Sequence, residues 1–86
     1  MDISDFRVQI DGIDDRIVEL FCERMRVSGG IARYKAEKGL PVLDKERERQ
    51  KLADVLGKTE PDLRVYMSEL YALIFELSRS YQEKIL

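Results

Sequence analysis

Apolar residues recur along the first part of the chain at alternating steps of three and four positions. The series comprises Ile3, Phe6, Ile10, Ile13, Ile17 and Leu20, and it continues in register through Val27, Ile31 and Tyr34. This spacing is typical of one stripe along an α-helix. Asp2 or Ser4 can cap the start, and Gly39 followed by Pro41 can end the helix. The pattern therefore predicts a helix from about Ile3 to Lys38.

Two shorter helices are predicted in the rest of the chain. The first has Asp44 as its N-cap and stops at Gly57. Residues 59–62, with the sequence TEPD, resemble a helix cap with proline in the first turn. The helix that follows runs nearly to residue 86 and carries the apolar positions Leu63, Met67, Leu70, Ile74, Leu77 and Tyr81. The fold class is thus all-α, with three helices in a single domain over residues 1–86.

The length of the first helix predicts a homodimer. At about 1.5 Å per residue, a helix over 3–38 is roughly 54 Å long. A compact domain of this size has a radius of gyration of about 12 Å, hence a diameter near 30 Å. The apolar stripe therefore extends beyond any globule that one chain can form. A second copy of the chain is the simplest cover for it, which gives an intertwined helical homodimer.

Gly29 and Gly30 lie in the middle of the predicted first helix. Each costs about 1 kcal/mol relative to alanine in a helix interior. They indicate close packing against another helix, a mild kink, or a break that would produce four helices. The apolar stripe resumes in register at Ile31, which favours a continuous helix.

Composition and charge narrow the possible chemistry. The net charge is −2, so a general nucleic-acid binder is not expected. The chain has no histidine, which removes histidine-assisted nucleophiles and the commonest metal ligand. The single cysteine, Cys22, cannot form an internal disulfide, and no basic start, secretory signal or membrane-length apolar run is apparent. We expect a cytoplasmic protein that uses no metal or cofactor.

Polar residues occupy positions where the helical patterns call for apolar ones. Arg24 interrupts the first-helix stripe, and Lys35 lies on the same face eleven residues later. Arg24 either pairs with a carboxylate of another helix, reaches the surface along its aliphatic stem, or meets an anionic ligand. Glu48, with Asp44 and Arg47 nearby, heads an apolar series in the second helix. The third helix carries Ser78 and Gln82 one turn apart, either in a site or exposed near its end.

Arg7 is a separate case. It lies 17 residues before Arg24, roughly 25 Å along a helix axis, so both cannot touch one small ligand within a chain. In an antiparallel dimer, however, the start of one helix can lie beside the middle of its partner. The polar residues named so far supply several cations, an amide, a hydroxyl and a carboxylate. This set suits a small dianion with a hydroxyl group, bound inside a helical bundle.

At this point the chain resembles the all-helical chorismate mutases over nearly its full length. Residues 6–14, FRVQIDGID, are similar to the family's opening arginine segment, and Arg24 and Lys35 have the family's spacing of eleven. Residues 41–48, PVLDKERE, fit the pattern P-V-x-D-x-x-R-E, in which Leu43 and Lys45 fill variable positions expected to matter little. Ser78 and Gln82 fall at a Ser-x-x-x-Gln pair.

The resemblance implies the rearrangement of chorismate to prephenate, on the route to phenylalanine and tyrosine. It implies that Arg24 and the partner's Arg7 hold the two substrate carboxylates with help from Ser78. Lys35 and Gln82 would donate to the ether oxygen whose bond breaks. Asp44 and Glu48 would engage the ring hydroxyl, and Arg47 would support the carboxylate network.

Two other functions remain open from the sequence. An isochorismate-pyruvate lyase shares the fold and much of the cationic site. A non-catalytic helical dimerisation module would have the same fold, but it would not need an arginine, Arg24, in the apolar stripe of its first helix. The sequence does not indicate feedback regulation, nor whether this is a separate enzyme or a piece of a fused one.

Overall fold

The computed structural model describes residues 1–86 and contains three α-helices and no strand. Helix α1 spans Ile3–Glu37, α2 spans Lys45–Gly57, and α3 spans Arg64–Ile85. The single turn of 3₁₀ helix at Pro61–Leu63 precedes α3. The predicted all-α class and the number of helices are confirmed.

Helix α1 begins and ends where local chemistry favours it. The carboxylate of Asp2, rather than Ser4, caps the start by accepting from the backbone N–H of Asp5 at 3.1 Å, and Asp5 reciprocates at 3.0 Å. At the other end Gly39 has φ +68°, a left-handed conformation that glycine adopts without steric cost. The chain then turns, and the N–H of Leu40 donates to the carbonyl of Lys35 at 2.8 Å.

The start of α3 differs from the prediction. No side chain caps the turn at Glu60, and the Thr59 hydroxyl donates backwards to the carbonyl of Val55 at 2.7 Å. Pro61 does lie in the first turn, but that turn is 3₁₀, so Leu63 precedes α3. The residue before a proline is held in extended conformation, and Glu60 has ψ 138° accordingly. At α2, by contrast, the Asp44 carboxylate caps as expected, accepting from the N–H of Arg47 at 3.0 Å.

Helix α1 is continuous through both glycines, and only one of them makes a close contact. A Cβ on Gly29 would lie 2.9 Å from Cδ1 of Ile85 and 3.1 Å from Cε2 of Tyr81, whereas one on Gly30 would meet nothing within 4 Å. The absence of a side chain at Gly29 therefore lets the end of α3 lie close against α1. This approach brings the polar residues of the two helices together.

Helix α3 packs against both α1 and α2, and the amino-terminal half of α1 projects beyond that cluster. The molecule measures 55 × 26 × 15 Å, and its radius of gyration is 16.0 Å. The six apolar stripe residues from Ile3 to Leu20 are each 42–63% exposed, and Ala32 is the only buried hydrophobic residue. One chain thus leaves its long apolar stripe uncovered, as the length argument predicts. None of the helices combines the length and apolar character needed to cross a membrane.

Candidate active site

A polar cavity of about 280 Å³ lies where the second half of α1, the start of α2 and the end of α3 meet. This volume is close to the lower end for small-molecule sites, about 300 Å³. Seven of the eight predicted site residues line it, namely Arg24, Lys35, Asp44, Arg47, Glu48, Ser78 and Gln82. Residues up to 58 positions apart in the sequence, Arg24 and Gln82, are thus brought to one cavity.

Arg7 is the predicted residue that the chain does not bring to the cavity. It is exposed on the projecting part of α1 and is not among the lining residues. The sequence-based expectation that Arg7 and Arg24 cannot share a ligand within one chain therefore agrees with the fold.

Arg24 joins α1 to α3 through a hydroxyl rather than a carboxylate. Its Nη1 donates to Oγ of Ser78 at 3.1 Å, and its guanidinium carbon lies 5.8 Å from the centroid of the Tyr71 ring. Aromatic faces attract a cation at this distance but do not neutralise it. Arg24 forms no ion pair with a carboxylate of another helix in this chain, so that alternative from the sequence is excluded here.

Ser78 and Gln82 are buried, although the sequence also allowed them to be exposed near the helix end. The Gln82 Nε2 donates to the carbonyl of Ser28 at 2.9 Å, across the contact that Gly29 permits. An amide nitrogen carries two N–H donors, so one of them stays available to a ligand. Gln82 is thereby held in place by α1 while it lines the cavity.

Lys35 stands at the end of α1 and contacts the loop that leads to α2. Its Nζ donates to the carbonyl of Val42 at 3.3 Å. An ammonium has three donors, so this contact fixes its direction without using its charge. Arg24, Lys35 and Arg47 are the three cavity cations that form no ion pair in the chain.

The other two cavity cations, Lys51 and Arg79, form ion pairs, and neither is among the site residues predicted from the sequence. Lys51 donates to Asp54 at 3.4 Å. The pKa of the exposed Asp54 carboxyl is lowered chiefly by its hydrogen bond and charge interaction with Lys58, and Lys51 adds to this. Lys51 is therefore directed partly away from the cavity.

Arg79 forms a close ion pair with Glu48, with Nη1 donating to Oε1 at 2.8 Å and to Oε2 at 2.6 Å. The helical repeat could have indicated Arg79. Ser78 and Arg79 lie three and four residues after Phe75, another lining residue, so they share its face of α3. Leu43 also lines the cavity, and the expectation that this loop position matters little stays a prediction. Leu43 is 47% exposed in the loop between α1 and α2, so it lies at the edge of the cavity.

Comparison with known proteins agrees with this arrangement. The family described as chorismate mutase type II matches residues 6–83, so the chain belongs to that family. It is 37% identical over 83 residues to a bifunctional chorismate mutase/prephenate dehydratase of Buchnera aphidicola subsp. Acyrthosiphon pisum, a match covering 94% of this chain and 22% of the relative. The family expected from the sequence is confirmed.

Two further relatives differ in length. The T-protein of Haemophilus influenzae is 31% identical over 80 residues, covering 81% of this chain and 21% of that protein. A chorismate mutase of Methanocaldococcus jannaschii is 36% identical over 47 residues, covering 55% of this chain and 48% of that protein. The chain thus spans about a fifth of the bifunctional relatives that it matches. No solved structure matches it.

Proposed function

We propose that this chain catalyses the rearrangement of chorismate to prephenate, as a homodimer in the cytoplasm. The observation that carries the proposal is the set of three unpaired cations, Arg24, Lys35 and Arg47, around one small cavity. Arg24 and Lys35 are partly buried without a carboxylate partner, which is costly, so they favour an anionic ligand. Arg47 is exposed and adds a third positive charge at the edge of the same cavity. Chorismate carries two carboxylates and one hydroxyl, which suits these cations and the acceptors Asp44 and Glu48.

The reaction is pericyclic and needs no nucleophile, metal or net proton transfer, so a chain without histidine can support it. What it needs is a substrate folded with its enolpyruvyl arm over the ring. Arg24, fixed by Ser78, would hold one carboxylate, and the partner's Arg7 would hold the other, supported by Arg47. Two such anchors restrict the substrate to the reactive conformation.

Charge develops on the ether oxygen as its bond to the ring breaks. Lys35 and Gln82 line the same cavity from α1 and α3, each with a donor left free. Their hydrogen bonds to that oxygen would strengthen in the transition state and so lower the barrier. The capping role of Asp44 holds the start of α2 against the cavity, so that Glu48 can accept from the ring hydroxyl.

The decay of chorismate absorbance with purified protein, with prephenate identified as the product, tests this function. Lys35→Ala should lower kcat by about 10²- to 10³-fold, because it removes a donor to the developing charge. Lys38→Ala is the matched control: Lys38 lies 5.8 Å from the Tyr34 ring outside the cavity, and its removal should leave kcat unchanged.

Three results would count against the proposal. Stable chorismate would exclude the mutase activity. Faster release of pyruvate from isochorismate would favour the lyase reaction instead. Near-normal turnover by a folded Lys35→Ala variant would remove the ether-oxygen role of Lys35.

A further inference from the structure

Arg79 is the one cavity cation that forms an ion pair with a residue that would touch substrate. Both of its short contacts, at 2.8 and 2.6 Å, run from one nitrogen to the two oxygens of Glu48. The pair links α3 to α2 across 31 residues of sequence. The side chains are 37% and 27% exposed, so the pair is partly shielded from solvent but not buried.

A carboxylate can accept about four hydrogen bonds, and Arg79 uses two of them. The remaining acceptor positions of Glu48 are free for a ligand hydroxyl. Because Arg79 holds both oxygens, the carboxylate cannot rotate without losing one of the contacts. Arg79 thus fixes the direction in which Glu48 can accept.

The pair also affects the charge that a dianionic substrate would meet. Arg24 and Lys35 line the same cavity and have no carboxylate partner of their own. An unheld Glu48 would be drawn towards these cations, because opposite charges attract strongly in a partly desolvated space. It would then compete with the substrate carboxylates for the cations and repel the substrate.

We infer that Arg79 is a positioning residue for the mutase reaction, which binds Glu48 so that its carboxylate accepts from the substrate hydroxyl and leaves Arg24 and Lys35 to the substrate carboxylates. This inference rests on the proposed function. The substrate is a dianion both before and during the reaction. Losing Arg79 should therefore weaken the binding of the substrate and of the transition state by similar amounts. The effect should therefore appear in KM rather than in kcat.

A double-mutant cycle on Arg79 and Glu48 tests the inference with chorismate as substrate. Arg79→Gln should raise KM about tenfold, as for loss of a charged hydrogen bond, with kcat changed less than about threefold. In a Glu48→Gln background the same change should alter KM by less than about twofold, since no carboxylate then needs holding. Arg79→Lys should stay within about threefold of wild type, because a single nitrogen makes both contacts.

The matched control is the Arg49–Glu46 pair on the exposed side of α2, in which Nε of Arg49 donates to Glu46 at 3.1 Å. Arg49→Gln removes the same kind of cation outside the cavity and should leave KM unchanged. Circular dichroism and mass in solution establish that each variant is folded. Arg79→Met, which keeps the aliphatic stem, repeats the cycle should the glutamine variant not fold.

Two results would overturn the positioning role while leaving the mutase function intact. An unchanged KM in Arg79→Gln would show that Glu48 needs no support. An equal rise of KM in the Glu48→Gln background would show that Arg79 acts on the substrate directly. A wild-type chain that leaves chorismate unchanged would instead overturn the proposed function and this inference with it.

Discussion

The amide nitrogen of Gln82 donates to the backbone carbonyl of Ser28 at 2.9 Å, across the contact between α1 and α3. Both residues are buried and both line the polar cavity. A hydrogen bond to a carbonyl oxygen requires a donor at position 82. A hydrogen bond from the second N–H of Gln82 to the ether oxygen of the substrate would likewise require a donor at this position.

Gln82→Glu should therefore make activity depend on pH. An amide donates at any ordinary pH, so the wild-type rate should persist through neutral and mildly alkaline conditions. A glutamate donates only when protonated, and its ordinary pKa is about 4.3. The variant should be most active at the acid end of the profile, near pH 4, and should lose activity as the pH rises to 8. Even there it should stay below the wild type, because a protonated carboxyl has one O–H donor where the amide has two.

This prediction is tested by measuring kcat as a function of pH for the wild type and for Gln82→Glu. The wild-type profile supplies the control for any general effect of pH on the fold. A steep loss of wild-type activity between pH 5 and 7, or a flat profile for the variant, would count against Gln82 as the donor.

Gly29 and Gly30 should respond differently to alanine. Gly30→Ala should stabilise the protein by about 0.5–1 kcal/mol, because alanine favours a helix and meets nothing within 4 Å here. At Gly29 the new Cβ would lie 2.9 Å from Ile85 and 3.1 Å from Tyr81, so α3 must shift. Gly29→Ala should be less stable than Gly30→Ala by about 1 kcal/mol.

Urea unfolding of the two variants at one protein concentration measures the difference, since association also contributes to stability. Because Gln82 follows Tyr81, Gly29→Ala should also raise KM, and Gly30→Ala should not. Equal stabilisation by both substitutions would contradict the close approach at Gly29.

The helices could be predicted from the sequence because each has its own local signals. Asp2, Asp44 and Gly39 act through neighbours within a few residues, so a pattern contains the information. Contacts between helices leave no such local signal in the sequence. Arg79 and Glu48 are 31 residues apart, and only the packing of α3 on α2 brings them together.

The site residues differ in the same way in how far local sequence signals reveal them. Arg24, Lys35, Glu48, Ser78 and Gln82 each break or border an apolar stripe, so the periodic pattern indicates them. Asp44 and Arg47 lie near Glu48 in the sequence, and the family spacing supports all three. An apolar side chain in a loop carries no periodic signal, so the sequence pattern does not indicate that Leu43 lines the cavity. The cap expected at residues 59–62 failed because Pro61 favours a tight turn that competes with the reciprocal capping bonds.

The exposed apolar stripe of α1 predicts how to break the dimer. Ile17 is 57% exposed and lines a largely apolar groove of about 760 Å³. In the proposed dimer this surface is covered, so Ile17→Glu would bury an unpaired charge and should yield monomers without activity. Val8 is 71% exposed on a different face of α1, and Val8→Glu should remain dimeric and active.

Light scattering with size-exclusion chromatography distinguishes the two states, because the chain has a mass of 10.1 kDa. The wild type and Val8→Glu should elute at twice that mass. An active monomeric Ile17→Glu variant would show that the site needs no second chain.

Mixing two inactive variants tests the shared active site most directly. Arg7→Ala lacks the anchor that the partner would supply, and Lys35→Ala lacks the donor to the ether oxygen. If Arg7 acts across the interface, a mixed dimer has one complete site, formed by Lys35 of the first variant and Arg7 of the second. Random reassociation of equal amounts should then restore about a quarter of wild-type activity, since half the dimers are mixed and each has one working site.

The measurement is the rate of chorismate loss after the two variants are unfolded together and refolded. Each variant refolded alone is the control and should stay nearly inactive. Recovery of about a quarter of the wild-type rate is the result expected for a site built from two chains. No recovery, with mixed dimers confirmed by mass, would place Arg7 in the same chain's site or outside the site altogether.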